Sequence, residues 1–177
     1  SEPANHFSDH LKFPQGPNDQ VFQKSNFSAS IKFKLIRNRQ NLIVIIKVII
    51  YTKNKDILLL KKNNDKDMWQ SVTGSLNENE KPIDAAKREV FEETGLTSDK
   101  IFDCNKQYIL EIYEMWRHKY EDGVTHNTEH VFLLELEEKV DIVIDKSEHL
   151  QYEWLSRVKA AEKVFSHTNR QAIFDLI

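Results

Sequence analysis

Three glutamates lie within five residues of one another in the segment REVFEETG, which occupies residues 88–95. Glu89, Glu92 and Glu93 are spaced by three and four, so a helix places them on one arc of about 100°. Like charges at these spacings repel one another. The segment is therefore either a solvated charged face or the binding site of a positive ion. Carboxylate oxygens are the ligands that Mg²⁺ and Mn²⁺ prefer, and Mg²⁺ often completes its shell with substrate phosphates.

The residues around these glutamates predict a helix between two loops. Pro82 suits the first turn of a helix, and Gly95 suits its C-cap. Ile83, Ala86 and Val90 form an apolar stripe along one face. The glutamates flank this stripe, so we expect them at the edge of the buried face rather than in free solvent.

Strand-like and helix-like segments follow one another along the rest of the chain. The segment LIVIIKVIIYT (42–52) is apolar on both faces, which predicts a central strand covered on both sides. Further strands are predicted at DILLLKK (56–62), WQSVTG (69–74), KQYILEIYEMW (106–116), HNTEHVFLLELE (126–137) and the end of IVIDKSEHLQYEWLS, and amphipathic helices at VKAAEKVF and NRQAIFDLI. The sum is an α/β (α+β) domain in which a mixed sheet is sandwiched between helices.

The predicted domain occupies residues 41–177. Residues 1–40 are predicted to form an N-terminal arm, because the first twenty residues hold three of the four prolines and no periodic apolar pattern. The arm is expected to be partly flexible. A weak alternation in SASIKFKLIRNRQ leaves open a short peripheral strand there.

Composition limits which binding partners and which cellular compartment we expect for this protein. The net charge of −3 argues against a large basic surface for nucleic acid or membrane. Cys104 is the only cysteine, which excludes an intrachain disulfide and fits a reducing cytoplasm. The longest apolar run, 42–50, is half the roughly 18 residues that a membrane helix needs. We expect a cytoplasmic monomer or homodimer with a small-molecule substrate and no nucleic-acid or membrane partner.

The glutamates belong to a longer pattern. Gly74 is followed after five residues by Glu80, and after seven more by REVFEETGL (88–96). This pattern resembles the Nudix box at every specified position. The resemblance implies the Nudix fold and metal-dependent hydrolysis of a nucleoside diphosphate linked to another group. It also implies that Arg88 and Glu80 brace the loop–helix–loop more than they touch substrate.

The same resemblance assigns roles to the acidic residues. Glu89, Glu92 and Glu93 look like the metal-binding glutamates, with Mg²⁺ as the cofactor and Mn²⁺ as the alternative. Gly74 begins the loop, and its carbonyl is a further candidate metal ligand. Glu92, Glu93 and Arg88 are the catalytic candidates within the box, which does not identify the general base.

Four other segments resemble the bacterial dihydroneopterin triphosphate diphosphatases, which are also known as dATP pyrophosphohydrolases. They are WQSVTGS (69–75), WRHKYEDGVTHNTEHVF (116–132), SEHLQYEWL (147–155) and HTNRQAIFDLI (167–177). The likeness implies release of pyrophosphate from dihydroneopterin triphosphate, leaving the monophosphate, in the pathway to folate. It makes Glu148 a further metal-site carboxylate and the candidate general base. Without the likeness, Glu148 reads as a surface residue.

Several other residues are candidate substrate contacts, each with a plainer explanation. Trp69 and Gln70 are placed to stack on and hydrogen-bond a pterin, but Trp69 fits the core equally well. Arg117 and His118 belong to a basic group at a predicted strand end, suited to phosphates or to solvent. Asn127 is predicted to face the substrate from the neighbouring strand.

Lys47 departs from the aliphatic run of those relatives. It alternates with Ile45 and Ile49, so it needs a partner, a path to solvent or a phosphate. The alternative functions are a pyrophosphohydrolase acting on dATP or other nucleoside triphosphates and, more remotely, a non-catalytic Nudix module that senses a nucleotide.

Overall fold

The computed structural model describes residues 43–63 and 66–177, so the predicted N-terminal arm at 1–40 lies outside the described residues. Seven strands and four helices follow one another in the described part of the chain. They are β1 (Ile43–Thr52), β2 (Asp56–Lys62), β3 (Trp69–Gln70), β4 (Val72–Ser75), α1 (Pro82–Thr94), β5 (Phe102–Glu111), α2 (Glu114–Arg117), β6 (His126–Leu136), β7 (His149–Ser156), α3 (Arg157–Lys163) and α4 (His167–Leu176).

The strands form one mixed sheet with β1 at its centre. The main order is β3-β2-β1-β6-β5, and β4 also pairs with β1 while β7 pairs with β2. Strands β1 and β6 are parallel along their length, whereas the other pairings are antiparallel. The central strand predicted at 42–52 is therefore confirmed over Ile43–Thr52.

Helices cover the sheet on both faces. Side chains alternate along a strand, so Val48 and its neighbour Ile49 enter different buried clusters. The cluster beneath α1 includes Ile46, Val48, Ala86, Val90 and Phe132. The cluster beneath α3 and α4 includes Ile49, Leu59, Val131, Ala161 and Ile173. This arrangement confirms the predicted sandwich.

Helix α1 has the predicted ends. Pro82 is its first residue, and Gly95 caps it in the left-handed conformation with φ of 72°. The Gly95 N–H donates to the Phe91 carbonyl at 2.8 Å, which satisfies one of the open carbonyls of the last turn. No helix among residues 43–63 and 66–177 is long and apolar enough to cross a membrane.

The strand predicted at WQSVTG is broken at Ser71. The Ser71 N–H donates to the Asn169 side-chain oxygen at 2.9 Å, and Asn169 Nδ2 contacts the Ser71 hydroxyl at 2.9 Å. This clamp from α4 separates β3 from β4. The partner lies 98 residues away, which explains why the local pattern did not reveal the break.

The strand predicted at 106–116 was wrong in its second half. Strand β5 ends at Glu111, and α2 follows at Glu114–Arg117. Tyr113 and Trp116 pack edge to face, 5.4 Å apart, and both contact the Phe165 ring. These aromatic contacts stabilise a turn that alternation alone does not predict.

Candidate active site

Glu89 lies against the start of the loop between β4 and α1. It is buried, and a Cβ atom added to Gly74 would lie 1.8 Å from the Glu89 Cδ atom. Only glycine leaves room for this carboxylate at position 74. Burial raises the pKa of Glu89 to about 7, although the hydrogen bond from Arg88 opposes the shift.

Arg88 is fully engaged with protein partners. Its Nε and Nη2 atoms donate to the two carboxylate oxygens of Glu80 at 2.8 and 2.9 Å, and Nη2 also donates to the Ser75 carbonyl. Its Nη1 atom donates to Glu89 at 2.7 Å and to Glu92 at 3.0 Å. Such a bidentate, charge-assisted arrangement holds loop and helix together. These contacts support the bracing role that the sequence implied.

Glu80 fixes the loop from its other end. The Asn77 N–H donates to a Glu80 carboxylate oxygen at 2.8 Å. The hydrogen bond from Arg88 lowers the pKa of Glu80 despite its partial burial. Glu80 therefore stays ionised and holds both the loop and Arg88.

A second group of polar side chains forms where α1 meets the start of β7. Glu93 and His149 are buried, and His149 Nε2 lies 3.3 Å from a Glu93 carboxylate oxygen. Neither Glu93 oxygen makes a well-oriented hydrogen bond with any described residue. Burial raises the pKa of Glu93, against the attraction of His149. Glu148 precedes His149 and is half-exposed, with its carboxylate 3.8 Å from Lys62 Nζ.

These residues fit a divalent cation. One ligand atom from each of Glu93, Glu148 and His149 lies within 4.8 Å of the other two. A buried carboxylate with unpaired oxygens is costly unless a proton or a cation compensates it. Carboxylate oxygens with one imidazole nitrogen are a ligand set that divalent metals accept.

The structure separates the predicted metal glutamates into two neighbouring groups. Glu93 and Glu148 come together with His149. Glu89 and Glu92 instead both contact the Arg88 guanidinium, and the Glu92 side chain is half-exposed. Glu89 is near enough for the Glu93 charge to contribute to its raised pKa.

His149 is the residue of this site that sequence reasoning missed. It directly follows Glu148 in the segment SEHLQYEWL, and this adjacency was the available signal. A lone histidine at the start of a strand is an ordinary core residue in most proteins. Only the packing of β7 against the end of α1 shows that it meets Glu93.

Trp69 and Gln70 occupy β3, which pairs with β2. Trp69 is buried in the cluster beneath α3, its Nε1 donates to Asp67 at 3.2 Å, and Lys163 Nζ lies 3.8 Å from its ring centroid. This is the placement of a core residue. Gln70 is half-buried, and its Nε2 atom makes no hydrogen bond with any described residue.

Arg117 and His118 do not lie at a strand end, contrary to the prediction. Arg117 ends α2 and donates to the Ile112 carbonyl and to Glu111, while His118 caps the helix and is exposed. Arg117 lines a surface pocket of about 340 Å³ together with Tyr113 and His167. None of the predicted metal glutamates lines this pocket. The role of Arg117 and His118 as phosphate contacts remains a prediction.

Asn127 lies at the start of β6, beside β1. It is buried, its Oδ1 atom has no hydrogen-bond partner among the described residues, and its Nδ2 atom lies 3.5 Å from the Tyr120 hydroxyl. An unpaired buried oxygen of this kind is available to a ligand. It therefore stays a candidate substrate contact.

The NUDIX domain family model matches residues 42–176. The chain belongs to the Nudix family. The match spans nearly all described residues, so the fold predicted from the glycine–glutamate pattern and the assignment to this hydrolase family are confirmed. Nudix hydrolases generally use divalent metals and act on small-molecule phosphate substrates.

Two relatives and one solved structure are similar over most of their length. Dihydroneopterin triphosphate diphosphatase of Haemophilus influenzae is 40% identical over 77% of this chain and 86% of its own. The enzyme of the same name from Escherichia coli is 44% identical over 73% of this chain and 89% of its own. The structure of the E. coli dihydroneopterin triphosphate pyrophosphohydrolase has a TM-score of 0.72 at 42% identity, covering 76% of this Nudix chain and 94% of that chain.

Proposed function

We propose that this Nudix protein hydrolyses dihydroneopterin triphosphate to dihydroneopterin monophosphate and pyrophosphate, a step on the pathway to folate. Relatives that carry this activity in their names are 40–44% identical and are matched over 86–89% of their length. The structural observation that carries the proposal is the buried Glu93 carboxylate, which lacks a well-oriented hydrogen bond beside Glu148 and His149.

Mg²⁺ is the cation we propose, with Mn²⁺ as the alternative. Glu93, Glu148, His149 and the neighbouring Glu89 are the residues that would hold it. When bound, such an ion neutralises charge that grows on the phosphate oxygens and allows a water molecule to lose a proton near neutral pH. Three of these four side chains offer carboxylate oxygens, which are the ligands that these hard cations prefer.

The remaining residues position the substrate and move the proton. Glu148 is half-exposed, so we propose that its carboxylate faces the attacking water and accepts its proton. Lys62, at the end of β2, presents its ammonium beside that carboxylate and is suited to bind a phosphate oxygen. Arg88 and Glu80 hold the loop and helix in register. Glu92 stays a catalytic candidate on the exposed face of α1.

The test is a substrate panel with Mg²⁺, analysed by phosphorus NMR in ¹⁸O-labelled water. We expect pyrophosphate and dihydroneopterin monophosphate as the products, with the label in one of them identifying the phosphorus that water attacks. Absence of pyrophosphate release would contradict the proposal. If kcat/KM for dATP exceeds that for dihydroneopterin triphosphate more than tenfold, the folate assignment fails and the nucleotide alternative replaces it.

We retain the prediction of a monomer or homodimer. Light scattering coupled to size-exclusion chromatography measures the molar mass in solution directly. A stable assembly larger than two chains would contradict it.

A further inference from the structure

Lys47 is a lysine buried at the centre of the sheet. It is 2% exposed, and its Nζ atom lies 2.5 Å from a Glu129 carboxylate oxygen and 3.4 Å from the Thr168 hydroxyl. Of the three possibilities that the sequence left open, the structure shows a protein partner. Glu129 lies on β6, which runs parallel to β1, and Thr168 lies in the first turn of α4.

Asn127 extends this buried group along β6. It precedes Glu129 by two residues, so both side chains leave the strand on the same face. It is 5% exposed, and its Oδ1 atom accepts no hydrogen bond from any residue that the structure describes. We call Lys47, Asn127, Glu129 and Thr168 the buried polar cluster.

A buried ion pair is an expensive way to join two strands. Well-packed apolar residues of similar volume are often as stabilising or more so, because removing two charges from water costs free energy. The surrounding face of the sheet is apolar, as the neighbours Ile49 and Val131 show. An unpaired acceptor beside the ion pair adds a further cost. The buried polar cluster therefore points to a role in binding.

The backbone of Lys47 lies close to the loop between β4 and α1, although its side chain leaves β1 on the face opposite to that of Ile46. In the pairing of β1 with β4, Lys47 lies opposite Thr73, and the adjacent pair is Ile46 opposite Gly74. One strand position corresponds to about 3.3 Å, which is short compared with a triphosphate tail. Tyr120, on the connection between α2 and β6, covers the outer end of the cluster at Asn127.

We propose that Glu129 and Asn127 bind the 2-amino-4-oxo edge of the substrate's pterin ring, which enters from the side that Tyr120 covers, and that Lys47 orients Glu129. The inference rests on the proposed function and adds a physical reason why the enzyme would prefer a pterin ring to adenine. The ring N3–H and 2-amino group are adjacent donors, and an ionised carboxylate only accepts hydrogen bonds. Adenine presents a donor beside an acceptor, so a carboxylate can accept from the donor but cannot pair with the acceptor.

The test compares kcat/KM for dihydroneopterin triphosphate with kcat/KM for dATP in the wild type and in Glu129→Gln. The glutamine amide offers one acceptor and one donor, which complements adenine and mismatches the pterin edge. We expect the ratio of the two kcat/KM values to fall about tenfold or more. Glu135→Gln is the matched control, because Glu135 lies on the same strand but is exposed; its ratio should equal that of the wild type.

Lys47→Met tests the positioning role separately. We expect KM for dihydroneopterin triphosphate to rise more than kcat falls, with a smaller change in KM for dATP, because the lysine acts through Glu129 on ring binding. A pair that only joins β1 to β6 would change both substrates equally. An unchanged ratio in Glu129→Gln and an equal effect of Lys47→Met on both substrates would overturn the inference.

The double variant Lys47→Met/Glu129→Gln guards against misfolding, since it leaves no unpaired buried charge. Circular dichroism and thermal unfolding establish that it is folded. Independently of any variant, calorimetry compares binding of phosphate-free dihydroneopterin and adenosine to the wild-type protein. Equal affinities would overturn the inference even if hydrolysis occurs. If the wild type instead releases no pyrophosphate from dihydroneopterin triphosphate, the proposed function itself fails, and the inference fails with it.

Discussion

At the scale of single residues, the candidate site depends on a glycine whose missing side chain leaves space for a carboxylate. The Glu89 carboxyl group occupies the position where a Cβ atom of residue 74 would lie. The atoms in the way are the far end of a flexible side chain, so a larger residue displaces functional atoms rather than the fold.

Gly74→Ala should therefore weaken Mg²⁺ binding without unfolding the protein. We expect the Mg²⁺ concentration for half-maximal activity to rise about tenfold or more, while the free energy of unfolding changes by less than about 1 kcal/mol. Gly123→Ala provides the contrast, because Gly123 has φ of 83° and open space around its Cβ position. It should lose about 1 kcal/mol of stability with an unchanged Mg²⁺ dependence. Equal Mg²⁺ dependence in both variants would contradict this account.

Individual residues differ in how far the sequence could predict them. The placement of Glu89 and Glu93 near one another follows from their fixed spacing in one helix, so the local pattern is enough to predict it. His149 meets Glu93 across 56 positions, and Lys47 meets Glu129 across 82. Such contacts are set by tertiary packing, so a single sequence shows only that Lys47 needs a partner.

At the scale of elements, α4 supports the segment that leads into the loop between β4 and α1 through one side chain. Asn169 in α4 makes hydrogen bonds with both the backbone and the hydroxyl of Ser71, just before β4. Both residues are buried. The helix thereby fixes the strand that leads into Gly74.

Asn169→Ala should destabilise the fold by about 2–4 kcal/mol, because it leaves the buried Ser71 N–H and hydroxyl unpaired. Urea denaturation with circular dichroism measures this loss. Gln171→Ala is the matched control on the same helix, since Gln171 is exposed and its side chain donates to Asp175; it should stay within about 0.5 kcal/mol of the wild type. Comparable losses in the two variants would contradict the clamp.

The loop before α1 should show a defined dependence of stability on pH. The hydrogen bond from Arg88 lowers the pKa of Glu80 below its ordinary 4.5, so the folded state binds this proton less readily than the unfolded state. The stabilisation is thus present above about pH 4.5 and is lost as the pH falls through the folded value. We expect Glu80→Gln to cost about 1–3 kcal/mol at pH 7.

The measurement is urea denaturation of both proteins at several pH values between 7 and about 3. The difference between wild type and Glu80→Gln should be largest near neutral pH and shrink towards zero below pH 4.5. A difference that stays constant with pH would show that the charge of Glu80 is not the cause.

Element boundaries were predicted well where residues at the boundary itself determine them. Pro82 and Gly95 delimit α1 as expected, since both act through their own backbone geometry. The end of β5 and the helix α2 were not predictable, because the turn depends on Phe165, far along the chain. The misplacement of Arg117 and His118 followed from this error.

At the scale of the whole molecule, the candidate metal centre joins parts of the chain that are distant in sequence. Glu93 lies in the last turn of α1, Glu148 directly precedes β7, and His149 is the first residue of β7. The sandwich itself was predictable from alternation and amphipathic helices. The junction between α1 and β7 was not, because it depends on how the covered sheet brings the two elements together.

A cation at this junction should stabilise the fold. At a Mg²⁺ concentration of 100 times the dissociation constant, the expected gain is about 2.7 kcal/mol, visible as a higher Tm. Glu93→Gln should abolish this gain and lower kcat at least about 100-fold. Without metal, Glu93→Gln should be as stable as the wild type or more stable, because it removes a carboxylate whose charged form is disfavoured by burial.

Glu162→Gln is the control for Glu93→Gln, since Glu162 is exposed on α3. It should keep the Mg²⁺-dependent rise in Tm and the activity of the wild type. Full activity of Glu93→Gln with Mg²⁺ present would count against the assignment of the site.

Alternation along β1 has a consequence for how such a protein can diversify. Ile46 lies opposite Gly74 on the face beneath α1, whereas Lys47 reaches Glu129 on the other face. We therefore expect substitutions at position 47 of this strand to change which heterocycle is accepted, while the residues beneath α1 stay untouched. A library randomised only at residues 47, 127 and 129 would be a compact starting point for engineering new substrate preferences.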